Sequence, residues 1–340
     1  MSKDLTVVMP VYNGERYLKD AISSVLIQSF KNFELLIIDD GSSDQSLKII
    51  EGINDSRIRI IRNNENKGIA FVRNLGLNQA KGKYLVWMDC DDIIHKDKFQ
   101  KQIDYLESNS EVGICGTWLW RFGDGKQAIA KSPNDPEVVK TTLIFSPSVW
   151  NATAMFRLSF IRKANLNYDT RLAIAEDYNF YLDASFHFPI HNIPEPLYYY
   201  RASETSIMKE YESQESKKKS FYKIIYTKVF DKLGIINDDR NFNVHYKIAS
   251  NHLIDDYSEY QEVYEWLVFL KKKNMEMNIY NHDSFSIMID NMFYFVSKKS
   301  SKIGFTVFAF FMKNVSSLKN IESILLLKLL TRCIVKYDKF

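Results

Sequence analysis

The sequence predicts an α/β protein: a mostly parallel sheet with helices on both faces, followed by a mainly helical C-terminal region. Three observations predict it. Apolar runs of strand length alternate with segments of helical period over the first 120 residues. Polar and acidic motifs stand at or just after the ends of those runs, where sheets of this kind bind ligands. From about Ser203 onward only helical patterns remain, rich in Lys, Tyr and Phe.

Leu5 to Met9 reads as a fully buried strand, and Glu15 to Gln28 as a helix with Leu18, Ile22, Val25 and Leu26 on one face. Phe33 to Ile38 is the next strand, and Ser43 to Ile50 a helix capped from Ser42-Ser43-Asp44. Arg57 to Arg62 alternates charged and apolar residues, as an outer strand would. Gly68 to Ala80 is helical, Tyr84 to Met88 a central strand, Lys96 to Glu107 a helix and Val112 to Trp118 a further strand. Past Gly123 the pattern loosens through Ser132-Pro133-Asn134-Asp135-Pro136. A helical stretch over Glu137 to Phe145, an apolar segment over Trp150 to Phe156 and a helix over Glu176 to Phe186 follow, and Pro189 to Tyr200 closes the region. The expected division is 1–204, with halves 1–120 and 121–204, and a helical region 205–340.

At 340 residues the chain is long enough for a full core plus an extension, and its formal charge of +3 is too small to argue for nucleic acid. The charge is unevenly placed. Lys298 to Phe340 holds nine Lys/Arg against Glu322 and Asp338, a net of +7, so the remainder carries −4. Cys90, Cys115 and Cys333 are too widely spaced for a disulfide framework or a zinc site, and suit reduced thiols in the cytoplasm. The chain enters a strand almost at once, without a signal-like segment, and its longest apolar stretch, Ile303 to Met312, is too short to span a bilayer. The expectation is a cytoplasmic protein, either soluble or peripheral on the inner face of the cell membrane.

Asp89-Cys90-Asp91-Asp92 follows the run Tyr84 to Met88. Carboxylates crowded at a strand end repel unless a cation sits among them, and a hard divalent ion with oxygen ligands is the usual solution. Asp at a strand end also starts turns and caps helices, and Asp92 before Ile93 fits that simpler role. Four further signals weigh toward a site: Met9-Pro10-Val11-Tyr12-Asn13, Asp39-Asp40-Gly41-Ser42-Ser43-Asp44, Asn66-Lys67-Gly68 with Arg73-Asn74, and Glu176-Asp177. No glycine-rich dinucleotide loop follows the first strand, and no phosphate-binding Gly-x-x-x-x-Gly-Lys-Ser/Thr occurs. A diphosphate would need another positive partner, which a cation on Asp91, helped by Asp89, supplies.

From Leu5 to about Arg201 the chain resembles the family 2 glycosyltransferases, inverting enzymes with a GT-A fold. The resemblance rests on Pro10-x-Tyr12-Asn13, Asp39-Asp40-Gly41-Ser42, Asn66-x-Gly68-x-x-x-x-Arg73-Asn74-x-Gly76, Asp89-x-Asp91-Asp92 and Ala175-Glu176-Asp177, in that order. It implies a Rossmann-like nucleotide-sugar site lined by Pro10, Val11, Tyr12, Asn13 and Cys90, with the tyrosine ring against the base. By the same resemblance Asp40 accepts from a base N–H, which suits uracil, and Asn66, Gly68 and Arg73 border nucleotide and sugar. Asp40 otherwise forms a turn with Gly41, and Arg73 otherwise reads as a helix-face charge. Asp89 touches ribose or metal, Asp91 ligates Mn²⁺ or Mg²⁺, and Asp92 supports the loop. Asp177 is the implied base that takes the acceptor hydroxyl proton, with Glu176 beside it on the acceptor side; two acids at a helix start also favour its dipole. A single displacement, helped by a metal that neutralises the leaving nucleoside diphosphate, would invert the anomeric carbon.

The implied function is transfer of a hexosyl or N-acetylhexosaminyl group from a nucleotide sugar, a UDP-sugar by preference, to a glycan or lipid-linked acceptor, as in bacterial polysaccharide or lipooligosaccharide synthesis. One departure stands out. Many relatives carry Arg-x-His after the last strand, and here Arg201-Ala202-Ser203 puts Ser203 in the histidine's place, leaving Arg201 for the diphosphate. His187 and His191 lie nearby in sequence but read as ordinary surface or core residues. Trp118, Trp120, Trp150 and Tyr198-Tyr199-Tyr200 offer flat faces for sugar or fill a core, and Trp150-Asn151 is the preferred acceptor pair. Over Ser316 to Lys336, Leu318, Ile321, Leu325, Leu329 and Ile334 fall among lysines, as in an amphipathic helix that packs on the catalytic domain or rests on anionic lipid. A catalytically silent nucleotide- or glycan-binding member, and a metal-dependent nucleotidyltransferase, are the competing readings.

Overall fold

The computed structural model describes residues 3–123, 125, 127–202, 214–250, 252–318 and 321–336. The chain forms two compact units, Met1–Lys140 with Pro147–Phe221, and Thr141–Ser146 with Tyr222–Phe340.

The first unit opens with β1 (Leu5–Val11), α1 (Leu18–Leu26), β2 (Phe33–Asp39), α2 (Ser46–Glu51), β3 (Ile58–Arg62), α3 (Ile69–Gln79) and β4 (Tyr84–Trp87). These strands pair in parallel in the order β3-β2-β1-β4, with Val11 beside Asp39 and Asp39 beside Arg62. The register puts the chain that leaves β1, β2 and β4 along one edge. β1, β2 and β4 are buried almost throughout because helices cover both faces, whereas β3 is the outer strand and alternates. α1 buries Leu18, Ala21, Ile22 and Val25 against this sheet. It starts at Leu18, not Glu15, because Gly14 carbonyl accepts from both Tyr17 and Leu18 N–H in a tight turn. α2 starts at Ser46, where Asp44 Oδ1 accepts from Ser46 N at 2.9 Å. A methyl group on Gly76 of α3 would lie 2.7 Å from Val8 Cγ1 and 3.1 Å from the Trp87 ring, so the helix sits on the strands at a distance only glycine permits.

The second half is mixed. It comprises β5 (Ile93–Ile94), α4 (Lys98–Ser108), β6 (Ile114–Gly123), β7 (Ala128–Ala130), α5 (Pro136–Thr142), a 3₁₀ turn (Asn151–Thr153), β8 (Met155–Arg157), α6 (Leu158–Lys163), α7 (Glu176–Ala184) and β9 (Ile190–Ala202). β8 is antiparallel to both β4 and β6, β9 is parallel to β6, and β5 is antiparallel to β9. The continuous run of parallel neighbours that starts at β3 thus ends at β4. α7 opens with Glu176 and Asp177 in its first turn, after Ala175 in the left-handed region at φ +59°.

The second unit is helical: most of α8 (Glu215–Leu233), then α9 (Asp239–Ala249), α10 (Tyr257–Met277), α11 (His282–Lys299), a 3₁₀ turn (Ser301–Ile303), α12 (Phe305–Asn314) and α13 (Ser323–Val335). Asp238, Asp256 and Asn281 cap their helices by accepting first-turn N–H groups. The amphipathic helix starts at Ser323, not Ser316: Leu318 and Ile321 precede α13, with Ile321 N donating to Leu318 O. Among the described residues no helix is long and apolar enough to cross a membrane.

His245 organises one end of this unit. It is fully buried, stacks on Phe145 at 4.5 Å, and lies edge-on to Tyr226, Phe230 and Trp266. Ile144 O can only accept and the Trp266 indole N–H can only donate, so His245 carries its proton on Nε2, donates to Ile144 O at 2.9 Å and accepts from Trp266 at 3.3 Å. Burial lowers its pKa from 6.5 to about 4. Between those values the unfolded chain binds a proton that the folded unit refuses. The stabilisation is therefore present above pH 6.5 and is lost as pH falls toward 4, about 3 kcal/mol in all. The expected result is that wild type loses its stability advantage over His245→Phe as pH falls from 7 to 4, measured as urea midpoints of the full chain by helical circular dichroism. A constant difference across that range would show that protonation of this ring plays no part.

Candidate active site

Two loops are locked together beyond β1 and β2. Asn13, at φ +50°, donates its N–H to Ser42 Oγ at 3.0 Å and accepts at Oδ1 from Ser43 N at 2.9 Å. Gly14 N donates to Ser46 Oγ, Glu15 N to Asp44 Oδ2, and Gln45 N back to Glu15 Oε2 at 2.8 Å. These bonds hold Tyr12, 51% exposed, at the rim of the strand ends, with Val11 buried and Pro10 half-buried behind it. Ser42, Asp44, Glu15 and Ser46 were not singled out for this role by the sequence. Only their small, polar, turn-forming character hinted at it.

Asp40, which the resemblance offers to a base N–H, is 4% exposed, and its oxygens accept from Asn63 Nδ2 at 2.7 Å and from Lys67 and Gly68 N–H at 3.0 Å each. It shapes the loop that exposes Asn66 and Gly68, both at the strand-end edge. Gly41, at φ +75°, lets this loop approach: a methyl there would sit 2.7 Å from the Glu65 backbone. Gly68, at φ +86°, starts α3.

Asp89, Cys90 and Asp91 leave β4 half-buried, and Asp92 is buried. Asp92 accepts from Tyr198 hydroxyl at 2.8 Å and from Arg201 N at 2.6 Å, which ties the acidic turn to β9 as the loop-supporting role requires. Tyr198 is fully buried in this way, so that member of the tyrosine run is core. Arg201 Nε donates to Asp91 O at 2.9 Å, and its guanidinium lies over the Tyr17 ring at 4.1 Å and the Phe122 ring at 4.7 Å. Cys90 faces the loop rather than the open side. Its Sγ would be 2.9 Å from a methyl on Gly14, and burial, with Asp91 and Asp89, pushes its thiol up to about 12, so it packs and does not attack. Ser203 and Glu204 lie outside the described residues. His191 stacks on Tyr105 at 4.5 Å, a packing role.

Burial raises Asp89 to about 6 and Asp92 to about 8, and raises Asp91 as well. Three carboxylates held near one another with raised pKa values are what a bound cation would relieve. Among the described residues, no three His, Cys, Asp or Glu side chains are gathered into a preformed cage. The donor set therefore fits an ion held by one or two carboxylates and completed by substrate phosphates, the usual arrangement for Mg²⁺.

Across from the acidic turn, Arg73 is buried and not a solvated helix-face charge. Its Nη1 bonds Glu176 Oε1, and its guanidinium lies 5.5 Å from the Tyr168 ring centre. Asn151 is turned so that its amide nitrogen donates to Tyr168 and Tyr181 hydroxyls at 3.0 Å, while its oxygen accepts from Arg73 Nη2 at 3.2 Å and Nε at 3.3 Å. Asn74 exchanges two 2.8 Å bonds with the Tyr168 backbone, fixing that residue against α3. Burial works against the Arg73 charge, but Glu176, Tyr168, Asp177 and Asp89 together outweigh it and hold the guanidinium above its ordinary range. Burial pushes Glu176 up to about 7, with Arg73 opposing.

Asn151 and Glu176, which the sequence sets on the acceptor side, are 5% and 6% exposed, and the Asn151 oxygen and Glu176 Oε1 are both engaged by Arg73. Trp150, by contrast, is 41% exposed. Asp177 is half-buried, accepts from Tyr178 N at 2.7 Å, and adds to the upward push on Asp89. Arg73 is thus bonded to Glu176 and feels the charges of Asp177 and Asp89, which links the helix-start acids with the strand-end acids electrostatically. Tyr168 and Tyr17 were missed at the sequence level; neither falls in a motif.

The model of Glycosyl transferase family 2 matches residues 6–169. An uncharacterized glycosyltransferase of Haemophilus influenzae is 30% identical over 249 residues, covering 68% of this chain and 76% of the relative. Among solved structures, TarS 1–349 of S. aureus in complex with UDP-GlcNAc matches with a TM-score of 0.60 at 19% identity, covering 92% of this chain and 89% of that one. A mannosyltransferase of Pyrobaculum calidifontis in complex with GDP-Man and Mn²⁺ matches with a TM-score of 0.51 at 12% identity, covering 100% and 89%. These two likenesses establish a shared fold of the GT-A kind with a helical C-terminal region.

Proposed function

The chain belongs to glycosyl transferase family 2, and we propose on that footing that it moves a hexosyl or N-acetylhexosaminyl group from a nucleotide sugar, a UDP-sugar by preference, to a hydroxyl of a glycan or lipid-linked acceptor, with inversion in a single displacement. The observation that carries this reading is a buried Arg73 that is bonded to Glu176 and within electrostatic reach of both Asp177 and Asp89. One acid set lies where a nucleoside diphosphate would end, and the other supplies a carboxylate on the far side of the sugar. The fold-mate bound to UDP-GlcNAc supports the choice of donor class.

In this reading Pro10, Val11, Tyr12 and Asn13 form the nucleoside platform, Cys90 packs beneath it, and Asp40 sets the Asn66–Gly68 rim. Asp91 and Asp89 would hold Mn²⁺ or Mg²⁺, which when bound supplies positive charge against the diphosphate. Arg201, stacked on Tyr17 and Phe122, aims its charge at the same group. Arg73, Asn151 and Glu176 position the start of α7, Trp150 offers an aromatic face to the acceptor, and Asp177 removes the proton from the attacking hydroxyl.

Thermal unfolding with UDP, GDP, dTDP and CMP, each with and without Mn²⁺, tests the donor half. A nucleotide at 100 times its dissociation constant adds roughly 2.7 kcal/mol. UDP with Mn²⁺ is expected to raise the midpoint, and either EDTA or Asp91→Asn to remove the gain. An equal gain with CMP or GDP would overturn the uridine assignment. No gain with any nucleotide would favour a silent member.

A further inference from the structure

The helices at the end of the second unit leave an apolar surface that no described residue covers. α12 and α13 run antiparallel: Lys336, just past α13, brings its Cε within 3.3 Å of where a methyl on Gly304, just before α12, would stand. Both helices turn their inner faces to α11. Phe311 packs on Phe293 at 5.0 Å, and Tyr294 hydroxyl donates to Leu325 O at 3.2 Å. Val307, Phe311, Leu329 and Cys333 are the buried positions. The outer faces are also apolar. Phe305 and Met312 on α12, and Ile324, Leu327, Ile334 and Val335 on α13, recur at helical spacing and are exposed, five of the six by more than half. Scattered exposed apolar residues need no explanation, whereas two adjacent helices each with a stripe mark an interaction site.

The charge around the stripes identifies the partner. From Ile303 to Lys336 the sequence holds five Lys/Arg and one carboxylate, Glu322. Lys313, Lys328 and Lys336 are exposed on the same two helices. A symmetric pairing of this face with a second copy would join two basic faces that offer the lysines a single carboxylate each, Glu322. Anionic lipid headgroups complement the lysines while acyl chains take the apolar side chains. We propose that the α12–α13 hairpin is a membrane-docking surface that seats Phe305, Leu327 and Ile334 in the interface of an anionic bilayer, with Lys313, Lys328 and Lys336 at headgroup level. The hairpin lies flat and does not span, since neither helix is long enough to cross. This inference does not depend on the donor chemistry.

Flotation of the full chain with vesicles of phosphatidylcholine, with and without phosphatidylglycerol, tests it. The chain is expected to float with the anionic vesicles only, and to be released as salt rises. Lys313→Gln, Lys328→Gln and Lys336→Gln together should weaken binding roughly 100-fold, at about a factor of five for each lysine. Leu327→Glu with Ile334→Glu should abolish it. Both positions are exposed, so the melting temperature and the UDP response should stay unchanged, which separates failure here from failure of the transferase reading. Absence of binding to anionic vesicles would overturn the proposal, as would binding that survives both variant sets. A concentration-dependent dimer dissolved by Leu327→Glu with Ile334→Glu would overturn it too, by assigning the face to a second copy.

Discussion

Asp177→Asn is expected to lower kcat by about 10³-fold while leaving the donor KM within about twofold. Asparagine is nearly isosteric and keeps an oxygen for Tyr178 N, the 2.7 Å bond that orients the side chain at the start of α7. What it loses is the capacity to take a proton. A drop confined to kcat would therefore report an interaction made only in the transition state. The competing carboxylate is Glu176, one residue away. Its Oε1 is committed to Arg73 and the residue is buried, so it is the less accessible of the two carboxylates to an acceptor hydroxyl. Steady-state kinetics with a UDP-sugar and calorimetric titration of UDP into both forms check the expectation. Turnover retained in Asp177→Asn would move the base elsewhere, and weakened UDP binding with kcat intact would make Asp177 a donor ligand.

The parallel half of the sheet is legible because its strands are continuous apolar runs and the motifs fall at their ends, a signal local in sequence. The mixed half is not. β8 is three residues long, and its place between β4 and β6 depends on partners far along the chain. Within the site, the residue types in Asp89-x-Asp91-Asp92 and Glu176-Asp177 carry their chemistry openly, and the loop-supporting role of Asp92 could be read from its position before Ile93. The surroundings of Asp40 and Asn151 could not be read. Each looks like a ligand-facing polar residue until its donors and acceptors are counted, and those come from Asn63, Lys67 and Gly68 in one case and from Tyr168, Tyr181 and Arg73 in the other. By helical period alone Arg73 reads as a surface charge, because that pattern cannot see a carboxylate 103 positions away; only the resemblance set it beside nucleotide and sugar. The His245 cluster was hidden for the same reason, since it joins Ile144 and Phe145 to helices nearly a hundred residues later.

Arg73→Met is expected to destabilise the catalytic unit by about 3–5 kcal/mol, because it leaves Glu176 buried without its partner. At about 2–4 °C per kcal/mol for a unit of this size, the melting midpoint should fall by roughly 10 °C. Glu176→Gln alone should cost less, since Arg73 keeps Asp177 and Asp89 as electrostatic partners and Asn151 O as an acceptor. Combining the two should recover part of the loss, as removal of a whole buried pair is often close to neutral. The double-mutant cycle then yields the coupling directly. Activity should not recover with stability. The pair fixes the first turn of α7, where Ala175 already holds a left-handed conformation, and a shift of about 1 Å there displaces Asp177 enough to cost about 10²-fold in kcat. A double variant that regains both stability and turnover would reduce the pair to packing. Regained stability with kcat still low would identify Arg73 and Glu176 as the groups that aim the base.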